Sequence, residues 1–572
     1  MSNAKKLALI RMQVMWNRLI SVVEEQAQTL VRTAFGAATR EAGDLSAGVF
    51  LPDGRMVAQA VTGTPGHVNS MAEAVKHFLV AYPLHTMRDG DVFVTNDPWK
   101  ATGHLNDFTM VTPVFRNRHV VALFASTLHV VDIGGIGYGA DGLQIYHEGL
   151  FMPIVRLVDG VDGVNGVERG RMSETVLKVV RANVREPVQV EGDLYALVAC
   201  NEIGGRRLTA MMTEYRLKDI NTLGEFIIER SRAAMLAAVR EWPKENKVNK
   251  VNKGKFGVYK SEMTIDGYDA PIVLKAALTI SRDGIDIDFT GTSPVSARGI
   301  NVPKSYTDAY TSFGVRCIIG AHVPNNAGSL SLVRVSAPEG CILNAPHPVA
   351  VAARSNVGQM LPDVVFGCLR QVRPDGVPAE GTSSLWNIRL ASVPGASQHV
   401  FNVVGFNTGG TGARPAQDGL SVTSFPSGIR NVSLEIMETI SPLVFWRKEY
   451  RTDSGGAGQQ RGGLGQVIEV EHGGKAPMAL AATFDRMVYP ARGADGGHAG
   501  GLGKVRLKSG QALKGMGRQV VPAGDRLIVE TPGGGGIGDP KLRARETVRE
   551  DVERGLVSVD AANTVYGVSI LI

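Results

Sequence analysis

Four glycine-dense segments break up the last third of the chain: NTGGTGARP (407–415), DSGGAGQQRGGLG (453–465), ADGGHAGGLG (494–503) and TPGGGGIGDP (531–540). Glycine weakens helices and strand interiors alike, so these stretches exclude long helices and imply strands joined by tight turns or by close backbone packing. A ligand-cradling role is the alternative. The chain holds 68 glycines in 572 residues, about 12% where about 7% is ordinary. The four segments differ in spacing, so they do not form a repeat. They also miss the nucleotide-binding patterns. Gly503-Lys504 is followed by Val505 rather than Ser or Thr, and GAGQQRG (456–462) has the wrong spacing for a dinucleotide fingerprint. H-E-x-x-H and G-x-S-x-G are absent as well. ATP, if used, is expected on a partner.

The first two-fifths read differently. Met12, Met15, Trp16, Leu19, Val22, Val23 and Leu30 recur at helical spacing and predict a long amphipathic helix that gives way at Gly36 and Gly43. Residues 47–51 and 55–59 flank Pro52-Asp53-Gly54, the form of a β-hairpin. Ser70 with Glu73, and Thr222 with Glu225, have the spacing of capping boxes that open helices. DVFVT, FTMVTPVF and HVVALFAS read as three strands between 91 and 126, and helix returns around 195–242. KENKVNKVNKGK (244–255) carries five lysines and three asparagines with almost nothing apolar, a linker or solvent loop. Beyond it, alternating segments broken at Gly-Asp turns predict β-meanders.

At this length one hydrophobic core is too few, so more than one domain is expected. The fold class is mixed α/β (α+β): residues 1–243 form an N-terminal α/β domain, 244–255 the linker, and 256–572 a glycine-rich, β-rich region divisible near 400–450. A net charge of +6 from 61 Lys+Arg against 55 Asp+Glu, with 6% aromatics, is too dilute to suggest nucleic acid. No apolar run is long enough to cross a bilayer, and the first 25 residues carry scattered charges that do not read as a secretory signal. Cys200, Cys317, Cys341 and Cys368 are far apart with no C-x-x-C pair, which suits reduced thiols and a cytoplasmic location.

Two of the twelve histidines head an H-x-x-D sequence, His104 to Asp107 and His129 to Asp132. His104 and Asp107 lie in the connection before one strand and His129 follows the next, so antiparallel pairing brings them together. Two imidazoles and a carboxylate suit Zn²⁺, Mn²⁺ or Fe²⁺. Turn-capping and core roles account for the same residues. Asp44 is either a further ligand or a turn residue. His67 either faces the site or only precedes a helix, and His147-Glu148 offers general acid/base groups or an exposed polar pair.

DLSAGVFLPDGRMVAQ (44–59), GHVNSM (66–71), GDVFVTNDPW (90–99), GHLNDFTMVTPVF (103–115), HVVDIGG (129–135), NVREPVQVEGDL (183–194) and three of the glycine segments together resemble a known family. It comprises hydantoinase B subunits, the matching half of 5-oxoprolinase, caprolactam-acting relatives, and α-type subunits of acetone and acetophenone carboxylases. The resemblance spans nearly the whole chain. It implies a metal held by Asp44, His104, Asp107 and His129, which makes residues 1–243 a metal-binding domain. It leaves Asp132 or His67 to orient a ligand and His147 or Glu148 to shuttle protons. It also implies an ATP-binding hydantoinase A-type partner that uses ATP and Mg²⁺, in an A2B2 heterotetramer. The activity implied is opening of a cyclic amide such as hydantoin, N-methylhydantoin, oxoproline or a lactam after phosphorylation by the partner. The alternatives are a ketone carboxylase subunit and a noncatalytic scaffold. Ala101-Thr102-Gly103-His104 stands where many relatives have Gly-Gly-Thr-His, and Trp99 where they have Tyr, so substrate choice is the property these departures bear on.

Overall fold

The computed structural model describes residues 3–160, 170–243, 256–396 and 400–570. The expected linker, 244–255, lies outside the described residues. Among the described residues the fold is mixed α/β with four sheets, and no helix there is long and apolar enough to cross a membrane.

The first sheet is antiparallel throughout, in the order β2-β1-β5-β4-β3-β6. Its strands are β1 (Leu45–Phe50), β2 (Met56–Gln59), β3 (Val92–Thr95), β4 (Asp107–Arg116), β5 (His119–His129) and β6 (Val155–Val158). The Pro52-Asp53-Gly54 hairpin and the three consecutive strands fall where the sequence places them. Both faces of the sheet are covered, which is why β1 is buried at every position. Helix α1 (Asn3–Thr33) lays Leu19, Val23 and Leu30 on one face with the helix at Pro187–Glu214. Full burial of each such side chain stabilises by about 1.5–3 kcal/mol. The helix at Pro65–Ala81 covers the other face with Met71, Val75 and Phe78 against Phe50, Phe93 and Leu123.

The two capping boxes do not form. Pro65 occupies the first turn after Thr64, so the helix begins five residues before Ser70, whose hydroxyl bonds back to the Gly66 carbonyl. Proline is preorganised for that position and sets the start. The helix at Asn221–Glu241 starts one residue ahead of Thr222, and Glu225 pairs with Arg55.

The second sheet contains β7 (Gly257–Ile265), β8 (Ile272–Ile280), β9 (Ile285–Asp288) and β10 (Val333–Ser336), with β9 and β10 parallel. It packs on helices at Lys304–Ile318 and Leu361–Arg370, in a region read from the sequence as β-rich. Two further sheets share one core. One is β12 (Asn402–Asn407), β11 (Trp386–Ser392), β15 (Met478–Thr483) and β17 (Met516–Val521). The other is β13 (Leu443–Tyr450), β14 (Gln466–His472), β18 (Leu527–Glu530) and β16 (Lys504–Leu507).

The glycine segments run side by side and bond to one another through their backbones. Gly534 N–H donates to the Gly463 carbonyl at 3.0 Å, Gly463 N–H to Thr411 at 2.9 Å, and Gly456 N–H to Gly534 at 2.8 Å. A Cβ on Gly534 would lie 1.9 Å from the Thr411 oxygen, and one on Gly410 would lie 1.8 Å from the Gly463 oxygen. Neither residue has a positive φ, so glycine is needed there for space rather than for conformation.

Candidate metal centre

The site forms where three neighbouring strands meet. His129 ends β5 directly opposite Asp107 at the start of β4, and on its other side the His129 N–H donates to the Asp44 carbonyl at 3.3 Å. Cross-strand neighbours project to one face, so Asp44, His129 and Asp107 converge. The loop before β4 adds His104, and the first turn of the Pro65–Ala81 helix adds His67. All five are buried, with exposures of 0–4%.

One atom each from His104, Asp107 and His129 lies within 4.8 Å of the others. Asp107 Oδ1 sits 2.7 Å from His104 Nε2 and 3.1 Å from His129 Nδ1. Asp107 Oδ2 accepts from Arg354 Nη2 at 2.6 Å and from the Thr102 hydroxyl at 2.7 Å, with His67 Nε2 at 3.0 Å. His67 Nδ1 is 3.4 Å from Asp44 Oδ1. Asp44, His67, His104 and His129 line a cavity of about 30 Å³ with Tyr138, Tyr306, Arg354, Asn387 and Phe406, and Asp107 lies behind them.

The donor set fits a divalent cation. His104 Nδ1 lies 2.9 Å from the Ala352 carbonyl, which can only accept. Nδ1 therefore carries the proton and Nε2 presents a lone pair to the carboxylate. Burial, then the nearby Arg354 charge, pushes the His104 pKa down to about 3, so the ring is neutral. Two lone pairs facing each other at 2.7 Å repel unless a positive centre lies between them. Asp44 Oδ1 and His67 Nδ1 are also buried without a hydrogen-bond partner, an unmet demand that an ion beside them satisfies. Burial opposes ionisation of Asp107, yet the His67 and Arg354 charges beside it help hold the carboxyl well below the usual range. Burial raises Asp44 against the pull of His67 and His129.

A family model described as hydantoinase B/oxoprolinase matches residues 8–540. The chain belongs to that family. An uncharacterised protein of Methanocaldococcus jannaschii is 29% identical over 98% of this chain and 96% of its own. The caprolactamase subunit beta of Pseudomonas jessenii is 28% identical over 98% and 96%. Among solved structures, the ATP-dependent caprolactamase of P. jessenii superposes with a TM-score of 0.88 at 25% identity, over 98% of this chain and 96% of that one.

In this hydantoinase B/oxoprolinase chain the other sequence candidates lie outside the cavity wall. Asp132 Oδ1 accepts from Arg185 Nη1 at 2.8 Å, and its other oxygen from the Arg185 N–H. His147 Nδ1 accepts from the Leu143 N–H at 3.4 Å. Glu148 is buried, and its Oε1 accepts from the Val351 and Ala352 N–H groups, both at 2.8 Å. Burial pushes its pKa up to about 8 against those two bonds. Glu148 thus touches the backbone segment whose Ala352 carbonyl orients His104. His67 is different: it lines the cavity and bridges Asp44 and Asp107, and those two carboxylates outweigh its burial and raise its pKa.

Arg354 and Tyr138 went unread in the sequence, and Thr102 was read only as a departure from the family motif. Arg354 also lies over the Tyr306 ring at 4.1 Å and donates through Nε to the Thr102 carbonyl at 2.7 Å. Gly103 makes room for it: its φ is +96° and a Cβ there would lie 2.7 Å from Arg354 Cδ. An arginine inside the apolar run VAVAAR (349–354) was the available signal.

Proposed function

We propose that the chain is the metal-bearing subunit of an ATP-dependent amidohydrolase acting on a cyclic amide, with Asp44, His104, Asp107 and His129 as metal ligands. The observation that carries this reading is the convergence of His104 Nε2, His129 Nδ1 and Asp107 Oδ1 beside the unpartnered Asp44 Oδ1 and His67 Nδ1. Nitrogen and oxygen donors suit Zn²⁺ or Mn²⁺. Such an ion lowers the pKa of a coordinated water towards neutrality and polarises a substrate oxygen. The partner is an ATP-binding A-type subunit, a reading supported by the caprolactamase relatives described as a beta subunit and as ATP-dependent; the A2B2 assembly is what the family resemblance implies.

An unstrained amide resists water because addition destroys its resonance. Transfer of the ATP γ-phosphoryl group to the amide oxygen removes that resonance in advance. One water then breaks the C–N bond, the nitrogen gaining a proton, and a second water releases orthophosphate. Ring amide, ATP and two waters thus give the open-chain amino acid, ADP and orthophosphate. The protein's own groups position this chemistry. Ala352 holds the His104 ring, and Arg354 with Thr102 holds one Asp107 oxygen so that the other faces both imidazoles. His67, between Asp44 and Asp107, is the buried group best placed to hold a proton at Nε2 or Nδ1.

The test is metal content and turnover. Chain purified without chelator is expected to hold one divalent ion, and His104→Ala to lose it. Reconstituted with its partner, the native chain is expected to open hydantoin, 5-oxoproline or a lactam only with ATP. Absence of stoichiometric metal, or unchanged turnover in His104→Ala, overturns the reading. Bicarbonate-dependent consumption of a ketone replaces it with the carboxylase.

A further inference from the structure

Five arginines among the described residues are almost wholly buried: Arg354, Arg389, Arg461, Arg486 and Arg543, at 1–7% exposure. Four have a carboxylate within ion-pair distance. Arg354 has Asp107, Arg461 and Arg543 share Asp418 and Asp551, and Arg486 has Asp363 and Glu380. Arg389 has none among the described residues. Its Nε donates to Asn402 Oδ1 at 3.0 Å, and its Nη1 is buried without a hydrogen-bond partner. A guanidinium stays charged at any physiological pH, so burying one without an anion is costly.

Arg389 sits in the wall of a cavity of about 600 Å³, together with Arg185, Arg518, Glu186 and Tyr138. The charges around it are uneven. Arg185 is held by Asp132 at 2.8 Å, and Arg518 lies 3.7 Å from Asp141 while its Nη2 bonds the carbonyls of Ile136 and Gly137. Glu186 is the remaining carboxylate of the wall. Burial brings the Arg389 pKa down to about 10; the nearby Asp132 charge opposes the shift, and Arg518 and Arg185 add to it. Of the three guanidiniums, Arg389 is the one with no carboxylate within ion-pair distance among the described residues.

Tyr138 joins this cavity to the metal centre. Its ring meets those of His104 and His129 edge-on at 5.9 and 5.6 Å, and Arg389 lies 5.9 Å from its centroid. The cavity at the histidines has room for a water-sized occupant and not for a lactam ring, whereas the larger one has room for a small substrate.

We propose that Arg389, flanked by Arg518 and Arg185, is an oxyanion site that takes the phosphoryl group of the activated substrate. The proposal rests on the reading that this substrate arrives phosphorylated. A phosphate monoester is the dianion that reading supplies, and forked guanidinium donors match its oxygens. Guanidiniums reaching the cavity from three separate segments suit a tetrahedral group better than a planar carboxylate.

The experiment uses the full chain, stripped of metal by chelation so that phosphate has no ion to ligate, and inorganic phosphate as the probe in titration calorimetry. One phosphate is expected to bind per chain. Arg389→Gln is expected to weaken binding by about tenfold or more, the usual scale for losing a charge-assisted pair, with the native metal content of the unstripped chain retained. Should Arg389→Gln fail to fold, Arg518→Gln, on an exposed side chain, is expected to weaken binding as well. No binding by the native chain, equal binding by the variants, or acetate competing as well as phosphate each overturns the assignment. In the reconstituted complex, Arg389→Gln is expected to lower ring opening per ATP consumed, whereas a merely structural defect lowers both together. If the native complex opens no ring while the stripped chain still binds phosphate at Arg389, the function fails and the anion site stands.

Discussion

The first sheet and the glycine segments are both buried, but they are held by opposite means. In the sheet, side chains fill the space: Phe50, Phe93 and Leu123 meet Met71, Val75 and Phe78 on one face, and α1 closes the other. In the glycine region the backbones themselves touch, with Gly534, Gly463 and Thr411 linked by N–H to carbonyl bonds and no room for a methyl group. Side-chain packing leaves freedom to place charged groups at a strand end, and the candidate metal centre uses it. Backbone packing leaves none, and so builds a rigid partition rather than a site.

The comparison breaks most sharply at Asp107. Asp107→Ala removes the anion facing Arg354, leaving a guanidinium of 2% exposure without its ion-pair partner. Such losses cost about 3–5 kcal/mol. Urea unfolding is expected to show a loss of that size together with loss of bound metal. A loss below about 1 kcal/mol would mean that the ion pair does not hold the site together.

Gly534→Ala attacks the other region. Its Cβ would sit 1.9 Å from the Thr411 oxygen, and backbone has no rotamer to yield. A cost of about 3 kcal/mol is expected, the upper end for overpacking, read by unfolding with metal content unchanged in the folded fraction. Tolerance of alanine there would show that the glycine segments separate easily, and the contrast between the regions would fail.

How much of this was legible follows the same divide. The Pro52-Asp53-Gly54 hairpin, α1, and the pairing that sets His129 against Asp107 all leave periodic or turn signals in the sequence, because side chains make those contacts. The helix at Lys304–Ile318 was missed although Tyr306, Ala309, Tyr310 and Phe313 keep helical spacing. Its aromatic and β-branched residues read equally well as strand. Arg354 lies some 250 positions beyond Asp107, and no local pattern links two such residues. The partners of each glycine were illegible for a stronger reason: contacts between backbones carry no residue identity beyond the absence of a side chain.

Glu148 sharpens the comparison through pH. Burial raises its pKa from 4.5 to about 8, so the folded chain binds this proton more tightly than the unfolded chain. The stabilisation is complete below pH about 4.5 and is lost as pH climbs through about 8. Glu148→Gln keeps an oxygen for the Val351 and Ala352 N–H groups and removes the ionisation. Between pH 5 and 8 the native chain is expected to lose stability relative to the variant by on the order of 3 kcal/mol. Parallel stability curves would refute the burial argument.

Gly381→Ala gives the smallest effect and the finest test. Gly381 is buried beside the same glycine segments, but a Cβ there would meet nothing closer than the Gly412 nitrogen and Thr411 Cα, both at 3.4 Å. Its φ is not positive, so alanine adopts the native backbone without strain. The penalty is expected to stay under about 1 kcal/mol, because the methyl also removes freedom from the unfolded chain. Set against Gly534→Ala, the pair separates two explanations of the glycine content. If distance decides, the unfolding midpoints differ widely. If the segments need glycine for mobility, the two substitutions cost alike, and the backbone-packed region is no rigid partition.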